Sequence, residues 1–217
     1  MAEDWRRDLD AWLTPFLSAL GHKARARMCR AYVAGLIGPG DRKSMQPMVA
    51  RAADINYDQL HHFVANRLWD AAPMEAVLLA QADIQVGGED AWPIIDDTSL
   101  PKKGTHSVGV APQYASTLGK NANCQTLVSV TLASHEVPVM VGLRLFLPEG
   151  WTSDTARLDR AGVPEDRRVY RSKPEIDRVR AANTRFGCVL ADAGYGLSGP
   201  FRQGLSERGL TWAVGIP

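Results

Sequence analysis

The chain has 217 residues, of which 45% are hydrophobic, and its 25 lysines and arginines against 24 aspartates and glutamates give a net charge of +1. This length and composition allow a sizeable buried core and predict a globular protein. The nearly balanced charge favours neither nucleic acid nor any other partner, so a DNA-binding surface would have to come from local clusters of cations.

Cysteine usage and the absence of targeting signals indicate a cellular compartment. The three cysteines, Cys29, Cys124 and Cys188, have no CxxC spacing, which fits neither a disulfide framework nor a zinc site and favours a reducing compartment. The N-terminus lacks the apolar core of a secretory signal, and no stretch reaches the roughly eighteen apolar residues that a membrane helix requires. We therefore expect a cytoplasmic protein with no membrane partner.

The first part of the chain has the periodicity of helices. Apolar residues from Trp5 to Leu20 recur at helical spacing, and Gly21 follows where a C-terminal cap is expected. Further helices are predicted over 22–37, over a segment that contains Phe63 and Leu68, and over 74–84. Gly87-Gly88 then marks a predicted boundary between a helical domain, 1–88, and a second domain, 89–217.

The second domain has the pattern of a mixed α/β sheet. Residues 148–172 are rich in charges, proline and glycine and predict a loop with at most a short helix. The predicted elements around this loop are strands over 92–97, 123–133 and 137–147, a helix from Pro174 to Phe186, a strand over 188–192, a helix over 198–208 and a last strand over 210–216. This β-β-β-α-β-α-β order predicts an antiparallel opening, parallel crossovers and helices on the faces of the sheet.

Two of the predicted strands end in carboxylates. Asp96 and Asp97 follow Ile94-Ile95, and Asp192 follows Val189-Leu190-Ala191. Two carboxylates on neighbouring strands are suited to a divalent, oxygen-bound cation and to phosphodiester chemistry. Strand alternation sends Asp96 and Asp97 to opposite faces, so only one of them can bind directly. The simpler alternative is that each aspartate caps the turn after its strand.

Two groups of cations are candidate DNA-binding residues. Lys102, Lys103 and His106 lie in a loop just after Asp97, where the phosphates of a substrate would pass. A second group lies in the second predicted helix and consists of Arg25, Arg27 and Arg30. In both cases the alternative is an ordinary solvated surface.

Other enzyme classes find little support in the sequence. There is no Gly-x-Ser-x-Gly elbow of a hydrolase and no P-loop of an ATPase. The turn after Asp192 contains Tyr195 between Gly194 and Gly196. The tyrosine is suited to stacking on a base or to ordinary packing, and the glycines predict a turn.

Several blocks of the chain together carry a family resemblance. The first is Asp96-Asp97-Thr98-Ser99-Leu100-Pro101-Lys102-Lys103-Gly104, which continues to Val110. Further blocks are residues 41–48, Leu147-Pro148-Glu149-Gly150-Trp151, residues 161–165, Lys173-Pro174-Glu175-Ile176 and Ala191-Asp192-Ala193-Gly194-Tyr195-Gly196. In this order and at this separation they resemble the DDE-type transposases of bacterial insertion sequences, which have a ribonuclease-H-like catalytic core.

The resemblance implies a function and a set of ligands. It implies Mg²⁺- or Mn²⁺-dependent cleavage and strand transfer at double-stranded DNA ends, which are terminal inverted repeats, by a homo-oligomer assembled on DNA. It assigns Asp97, directly before Thr98, as the leading metal ligand and Asp192 as its partner, with Asp96 in reserve. It also implies that the first and fourth strands lie side by side and that the helical domain takes part in recognising the DNA ends.

The sequence departs from the family pattern at its C-terminal end. The third acidic residue of such enzymes, usually a glutamate, comes from a helix beyond the last strand, and this sequence stops at Pro217 without it. We therefore expect the N-terminal portion of a transposase with a C-terminally truncated core that is inactive alone. The alternative is a non-catalytic DNA-binding or assembly module that inhibits a full-length transposase.

Overall fold

The structure is a computed structural model that describes residues 4–52, 54–65, 69–135, 137–168 and 184–216. The chain forms two compact units, Met1–Leu78 and Leu79–Pro217. The division lies N-terminal to the predicted boundary at Gly87-Gly88, because Ala82 and Val86 pack into the core of the second unit. None of the helices in the described ranges has the length and apolar character needed to cross a bilayer.

The first unit is helical, as predicted. Gly21 adopts φ +62° directly after the first helix, which is the left-handed conformation of a glycine cap. Met28, Met48, Ile55 and Leu60 form a buried apolar cluster in this unit. Its helices are α1 (Asp4–Ala19), α2 (Lys23–Ile37), α3 (Met45–Ala50), α4 (Tyr57–Ala65) and the first part of α5 (Ala72–Val86). The helix α3 was not predicted, and the predicted extension of the third helix to Leu68 lies outside the described residues.

The second unit contains an open mixed sheet, which confirms the predicted α/β class with a ribonuclease-H-like core. Its strands are β1 (Ala91–Pro101), β2 (Ala111–Ala115), β3 (Lys120–Ser134), β4 (Val137–Leu145), β5 (Val189–Ala191) and β6 (Trp212–Val214). The main order is β4-β3-β1-β5-β6, and β2 pairs with the first residues of β3. The β1–β3 and β3–β4 pairs are antiparallel, while β1–β5 and β5–β6 are parallel.

The structure corrects one detail that concerns the candidate site. β1 does not end at Asp97 but continues to Pro101, because the long strand β3 pairs with it from Ala91 to Pro101. Asp97 is therefore an interior residue of a strand, opposite Val128, and not a strand-ending residue. The short strand β2, which contains Pro112, was also not predicted.

The region after β4 is more ordered than predicted. It contains two short helices, α6 (Glu149–Thr152) and α7 (Thr155–Arg160), and a 3₁₀ turn at Glu165–Arg167. Trp151, Leu158 and Val163 pack there against Val110 in a small buried cluster. The Lys173–Ile176 block and the helix predicted from Pro174 lie outside the described residues up to 183, and residues 184–186, where that helix was predicted to end, are not helical.

One face of the sheet carries the main core of the second unit. Ile95, Val128, Val130 and Val189 project from the strands into this core. Ala82 and Val86 of α5 pack against them, together with residues from α8 (Ala193–Gly196) and α9 (Gly199–Glu207), namely Tyr195, Phe201 and Leu205. These helices hold the connection between β5 and β6 against the sheet.

The turn after β5 requires a residue without a side chain at position 196. A Cβ on Gly196 would overlap the carbonyl oxygen of Gly215, which follows β6. Gly196→Ala is therefore expected to lower the free energy of unfolding by about 1–3 kcal/mol, because the backbone has to move apart. Gly199→Ala is the matched control, since its Cβ would meet no atom within 4 Å. Urea denaturation of both variants tests this, and equal midpoints would contradict it.

Candidate active site

The two strands that carry the candidate aspartates are neighbours. β1 and β5 pair in parallel, with Ile94 opposite Leu190 and Ile95 opposite Ala191. The predicted adjacency of these strands is therefore confirmed. Continuing the same register by one residue places Asp96 level with Asp192, just beyond the last rung of the ladder. Level residues of neighbouring strands project to the same face of a sheet, so this register brings Asp96 and Asp192 to one face.

Asp96 and Asp97 lie on opposite faces of β1. Asp97 is half-buried and shares its face with the buried residues Ile95 and Ser99, whereas Asp96 is exposed on the other face. Ser129 Oγ on β3 donates to the Asp96 carbonyl oxygen at 3.2 Å. Because N–H and C=O of one peptide unit point in opposite directions, the N–H of Asp97 points away from β3, towards β5. That N–H donates to Asp96 Oδ1 at 2.8 Å, which holds the Asp96 carboxylate at the β5 side.

Asp192 caps the short helix that follows β5. It has extended backbone angles, and its Oδ1 accepts a hydrogen bond from Tyr195 N at 3.1 Å. The capping role weighed in the sequence analysis is therefore real, but it uses one oxygen of an exposed carboxylate. A Cβ at Gly194 would lie 3.2 Å from Oδ1 and 3.6 Å from Oδ2, so glycine at this position keeps the approach to the carboxylate open.

The other residues of this turn have structural roles. Tyr195 is 3% exposed, and its ring lies 5.6 Å from that of Phe201 in the core. Stacking of Tyr195 on a base is therefore excluded in this conformation, because the ring is covered by the protein itself. Gly196 is required by the nearby backbone of Gly215. Across the described ranges, no group of three or more His, Cys, Asp or Glu side chains is placed to hold a metal ion.

A second pair of residues holds β1 and β5 together at the opposite end. The carboxylate of Asp83 on α5 accepts from Arg185 N at Oδ1 and from Arg185 Nε at Oδ2, both at 2.9 Å. Arg185 Nη2 also donates to the Asp83 carbonyl oxygen at 3.1 Å, and Gly88 N donates to the Arg185 carbonyl at 3.1 Å. We call these contacts the Asp83–Arg185 clasp. They lie just before the first residues of both strands.

Two glycines make the clasp possible. A Cβ at Gly87 would overlap the Asp83 carboxylate, and a Cβ at Gly187 would overlap the carbonyl oxygen of Glu89. Gly187 N instead donates to the Ala91 carbonyl at 3.0 Å, directly at the start of β1. The sequence analysis missed Asp83 and Arg185. The glycines on either side of the predicted strands were the available signal, since Gly in such a position often marks close approach of two backbones.

The predicted loop cations are presented on the surface of the second unit. Lys103 and His106 are exposed, and Lys102 is half-buried. Lys102 N donates to the Asn123 carbonyl at 2.9 Å, and Asn123 Nδ2 donates back to the Lys102 carbonyl at 2.8 Å. The loop is thus anchored to β3 through Asn123, and its cations follow the C-terminal end of the strand that carries Asp96.

The three arginines of α2 do not form one surface. Arg27 and Arg30 are exposed on the same side of the helix, while Arg25 is half-buried and lies about 200° around the axis from Arg27. Arg30 Nε pairs with Asp10 Oδ1 at 2.9 Å, and Arg27 Nη2 donates to Gln59 Oε1 at 3.5 Å. Of the predicted group, Arg27 and Arg30 share a face, and Arg30 also has a partner on α1.

The Asp83–Arg185 clasp predicts a pH-dependent contribution to stability. The N–H of Arg185, with further help from its guanidinium, holds the pKa of the Asp83 carboxyl below its ordinary value of 3.8. A carboxyl with a lowered pKa stabilises the fold fully above its unfolded pKa, and this contribution is lost as the pH falls through the folded value. Asp83→Asn should therefore lower the free energy of unfolding at neutral pH, and the difference should shrink under acid conditions.

Denaturant unfolding of both proteins between neutral pH and about pH 3 measures this difference. Asp166→Asn serves as the matched control, since Asp166 pairs with Arg167 at the surface, where both side chains are more than half exposed. Such a pair contributes little. A loss in Asp83→Asn that is independent of pH would show that the charge of Asp83 is not what stabilises the clasp.

Comparison with known proteins identifies the family. The family described as DDE superfamily endonuclease matches residues 15–217 of the chain. A protein of Microchaete diplosiphon, named a probable transposase for insertion sequence element IS701, is 32% identical over 189 residues. That alignment covers 84% of this chain and 46% of the relative, so the chain spans about half the length of the curated relative. The chain belongs to the DDE superfamily of endonucleases, as its motifs indicated.

Proposed function

We propose that the chain supplies the first two carboxylates of the metal site of a DDE-type transposase, and that it acts in cleavage and strand transfer of DNA phosphodiester bonds. The observation that carries this proposal is the parallel β1–β5 register, whose continuation by one residue would put Asp96 level with Asp192. The family match supports the reaction class. The substrate is double-stranded DNA that ends in terminal inverted repeats, bound by more than one copy of the protein.

The donor groups of this carboxylate pair fit Mg²⁺ or Mn²⁺. Both ions prefer carboxylate oxygens. Asp96 and Asp192 each place one oxygen on a backbone N–H, of Asp97 and Tyr195 respectively. These hydrogen bonds fix the orientation of the carboxylates and support binding through their other oxygens. A bound ion would supply Lewis-acid stabilisation of charge on the phosphate.

The choice between Asp96 and Asp97 rests on strand geometry. The family resemblance assigned Asp97, with Asp96 in reserve. The register instead supports Asp96, because Asp97 projects to the face that the helices cover, and Asp192 continues the face of Leu190 and Ile94. We therefore propose Asp96 and Asp192 as the ligands and keep Asp97 as the alternative to Asp96. The family resemblance implies that a third acidic residue binds the metal together with these two.

Removing either proposed ligand should weaken metal binding. Mn²⁺ binding to the 217-residue chain, followed by electron paramagnetic resonance, is expected to be weak and to weaken further by about tenfold in Asp96→Asn and in Asp192→Asn. Asp90→Asn is the control, because it removes the same charge near the other end of β1. Retained affinity in Asp96→Asn together with a loss in Asp97→Asn would transfer the role to Asp97.

The same chain should nick terminal-repeat DNA poorly in the presence of Mg²⁺, because two carboxylates hold a metal weakly. We propose that turnover requires a third carboxylate besides Asp96 and Asp192. Robust nicking by the wild-type chain that is abolished in Asp192→Asn would show that the described carboxylates suffice.

A second function is compatible with the described residues, in which no cluster of three metal-binding side chains is present. In this alternative the chain is a non-catalytic DNA-binding or assembly module. The cations Lys23 and Arg27 would then be central, since both are exposed and lie one turn apart on α2. The two functions differ in their need for Asp96 and Asp192, which a DNA-binding module does not require.

DNA binding by α2 should depend on Arg27 more than on Arg25. Arg27→Ala is expected to weaken binding of duplex DNA at low salt and to reduce the slope of log affinity against log salt by about one, because one phosphate contact is lost. Arg25→Ala is the matched control, since Arg25 is half-buried on the other side of the helix. Fluorescence anisotropy over a salt series measures both. An equal effect of the two substitutions would argue against this face of α2 as the DNA contact.

A further inference from the structure

The loop between β1 and β2, residues 102–110, is held by an unusual number of side-chain donors. Five of its backbone carbonyl oxygens accept hydrogen bonds from side chains elsewhere in the second unit. Asn123 Nδ2 donates to the carbonyls of Lys102 and Gly104, Arg157 Nη2 to that of Thr105, Gln125 Nε2 to that of Val108 and Trp151 Nε1 to that of Val110. We call this segment the β1–β2 loop.

These hydrogen bonds give the β1–β2 loop a defined polarity. A carbonyl oxygen is the negative end of the peptide dipole, and the donors hold five such oxygens towards the protein. The side chains of Lys103, Thr105, His106 and Ser107 are exposed. The solvent side of the loop therefore presents a cation, an imidazole and two hydroxyls, which are the groups that contact phosphate oxygens in nucleic acids.

Arg157 connects the loop to the small cluster beneath it. Its guanidinium carbon lies 3.7 Å from the centroid of the Trp151 ring, and its Nη2 donates to the Thr105 carbonyl at 2.8 Å. Trp151 is 1% exposed and donates its indole N–H to the Val110 carbonyl at 2.8 Å. Stacking and hydrogen bonding at the same time suit the planar guanidinium and do not suit a lysine ammonium.

Arg157 is itself held in place. It lies in the first turn of α7, and its backbone N–H donates to Asp154 Oδ1, which caps that helix, at 2.9 Å. Leu158, the next residue, is buried in the same cluster as Trp151 and Val110. The position of the Thr105 carbonyl is thus linked through one side chain to a packed core.

We propose that the β1–β2 loop is a preformed surface for the phosphate backbone of duplex DNA, and that Arg157 is its positioning residue. The proposal rests on the proposed function, since it takes the DNA to be the strand cleaved at Asp96 and Asp192. Lys102 is the sixth residue after Asp96. At about 3.3 Å per strand residue, the loop begins about 20 Å from the carboxylate, or about six base-pair steps of duplex.

Because of this distance, the ligand of the loop would be the duplex DNA that flanks the cleaved bond. A free phosphate or a single nucleotide at Asp96 would not extend to the loop, whereas a continuous duplex would. Lys103 and His106 would contact the backbone without reading bases, so the contact would be independent of sequence. The loop would then hold the DNA in register with the carboxylates.

The proposal is tested on the full 217-residue chain with a labelled duplex of about 20 base pairs, by anisotropy at low salt. Lys103→Ala and Arg157→Ala are each expected to weaken binding about fivefold or more, since a charged contact is lost or displaced. Arg157→Lys, which keeps the charge, should bind as weakly as Arg157→Ala. Arg160→Ala is the matched control on the same helix, where the side chain is exposed, and should change binding less than about twofold.

Coupling distinguishes positioning from direct contact. In a Lys103→Ala, His106→Ala background, Arg157→Ala should have little further effect, because its action passes through the loop. If the effects of these substitutions on DNA affinity add in full, or if Arg157→Lys binds DNA as tightly as the wild type, the positioning role is overturned. Arg157 would then act only through its positive charge.

Limited trypsin digestion provides a readout without DNA. Cleavage after Lys102 and Lys103 should be faster in Arg157→Ala and in Arg157→Lys than in the wild type or in Arg160→Ala. An unchanged rate of cleavage would show that Arg157 does not hold the β1–β2 loop in place. If the wild-type chain does not bind duplex DNA while Arg157 still protects the loop, the phosphate role of the loop is overturned and only the positioning by Arg157 stands. Mn²⁺ binding in Asp96→Asn and Asp192→Asn tests the proposed function separately.

Discussion

The parallel contact between β1 and β5 is the constraint on which the candidate site depends. It consists of two rungs, Ile94 with Leu190 and Ile95 with Ala191, and a shift of β5 by one residue would send Asp192 to the opposite face from Asp96. Two rungs do not fix a register by themselves. The Asp83–Arg185 clasp, at the start of both strands, and the close backbone contact at Gly187 supply the remaining restraint.

The two carboxylates of the candidate site each use one oxygen for a backbone hydrogen bond. Asp192 caps α8 with Oδ1, and Asp96 accepts the N–H of Asp97 with Oδ1. Capping and metal binding are therefore not competing explanations for a strand-ending aspartate. A carboxylate that is already oriented by a backbone donor loses less conformational freedom when it binds a cation.

The sequence predicted what depends on local pattern and on a recognisable family. Helix spacing located α1, α2 and α5, and the family resemblance implied that the strand of Asp97 lies beside that of Asp192. It did not locate the end of β1, since pairing with a long partner extends a strand beyond its apolar run. The Asp83–Arg185 clasp and the hydrogen bond from Arg157 to the Thr105 carbonyl were also missed, because they join residues that are far apart in the chain and lack a local motif.

Sequence separation also has a kinetic consequence for the site. β3 pairs with β4 across the hairpin at Ser134 and Val137, and with β1 a few tens of residues away, so these contacts close short loops. The rungs between β1 and β5 join residues roughly a hundred positions apart, and long loops close slowly. We therefore expect the antiparallel strands to assemble first. Asp96 and Asp192 come level only when the last part of the sheet has formed, so we expect the candidate ligand pair to assemble as the final event of folding.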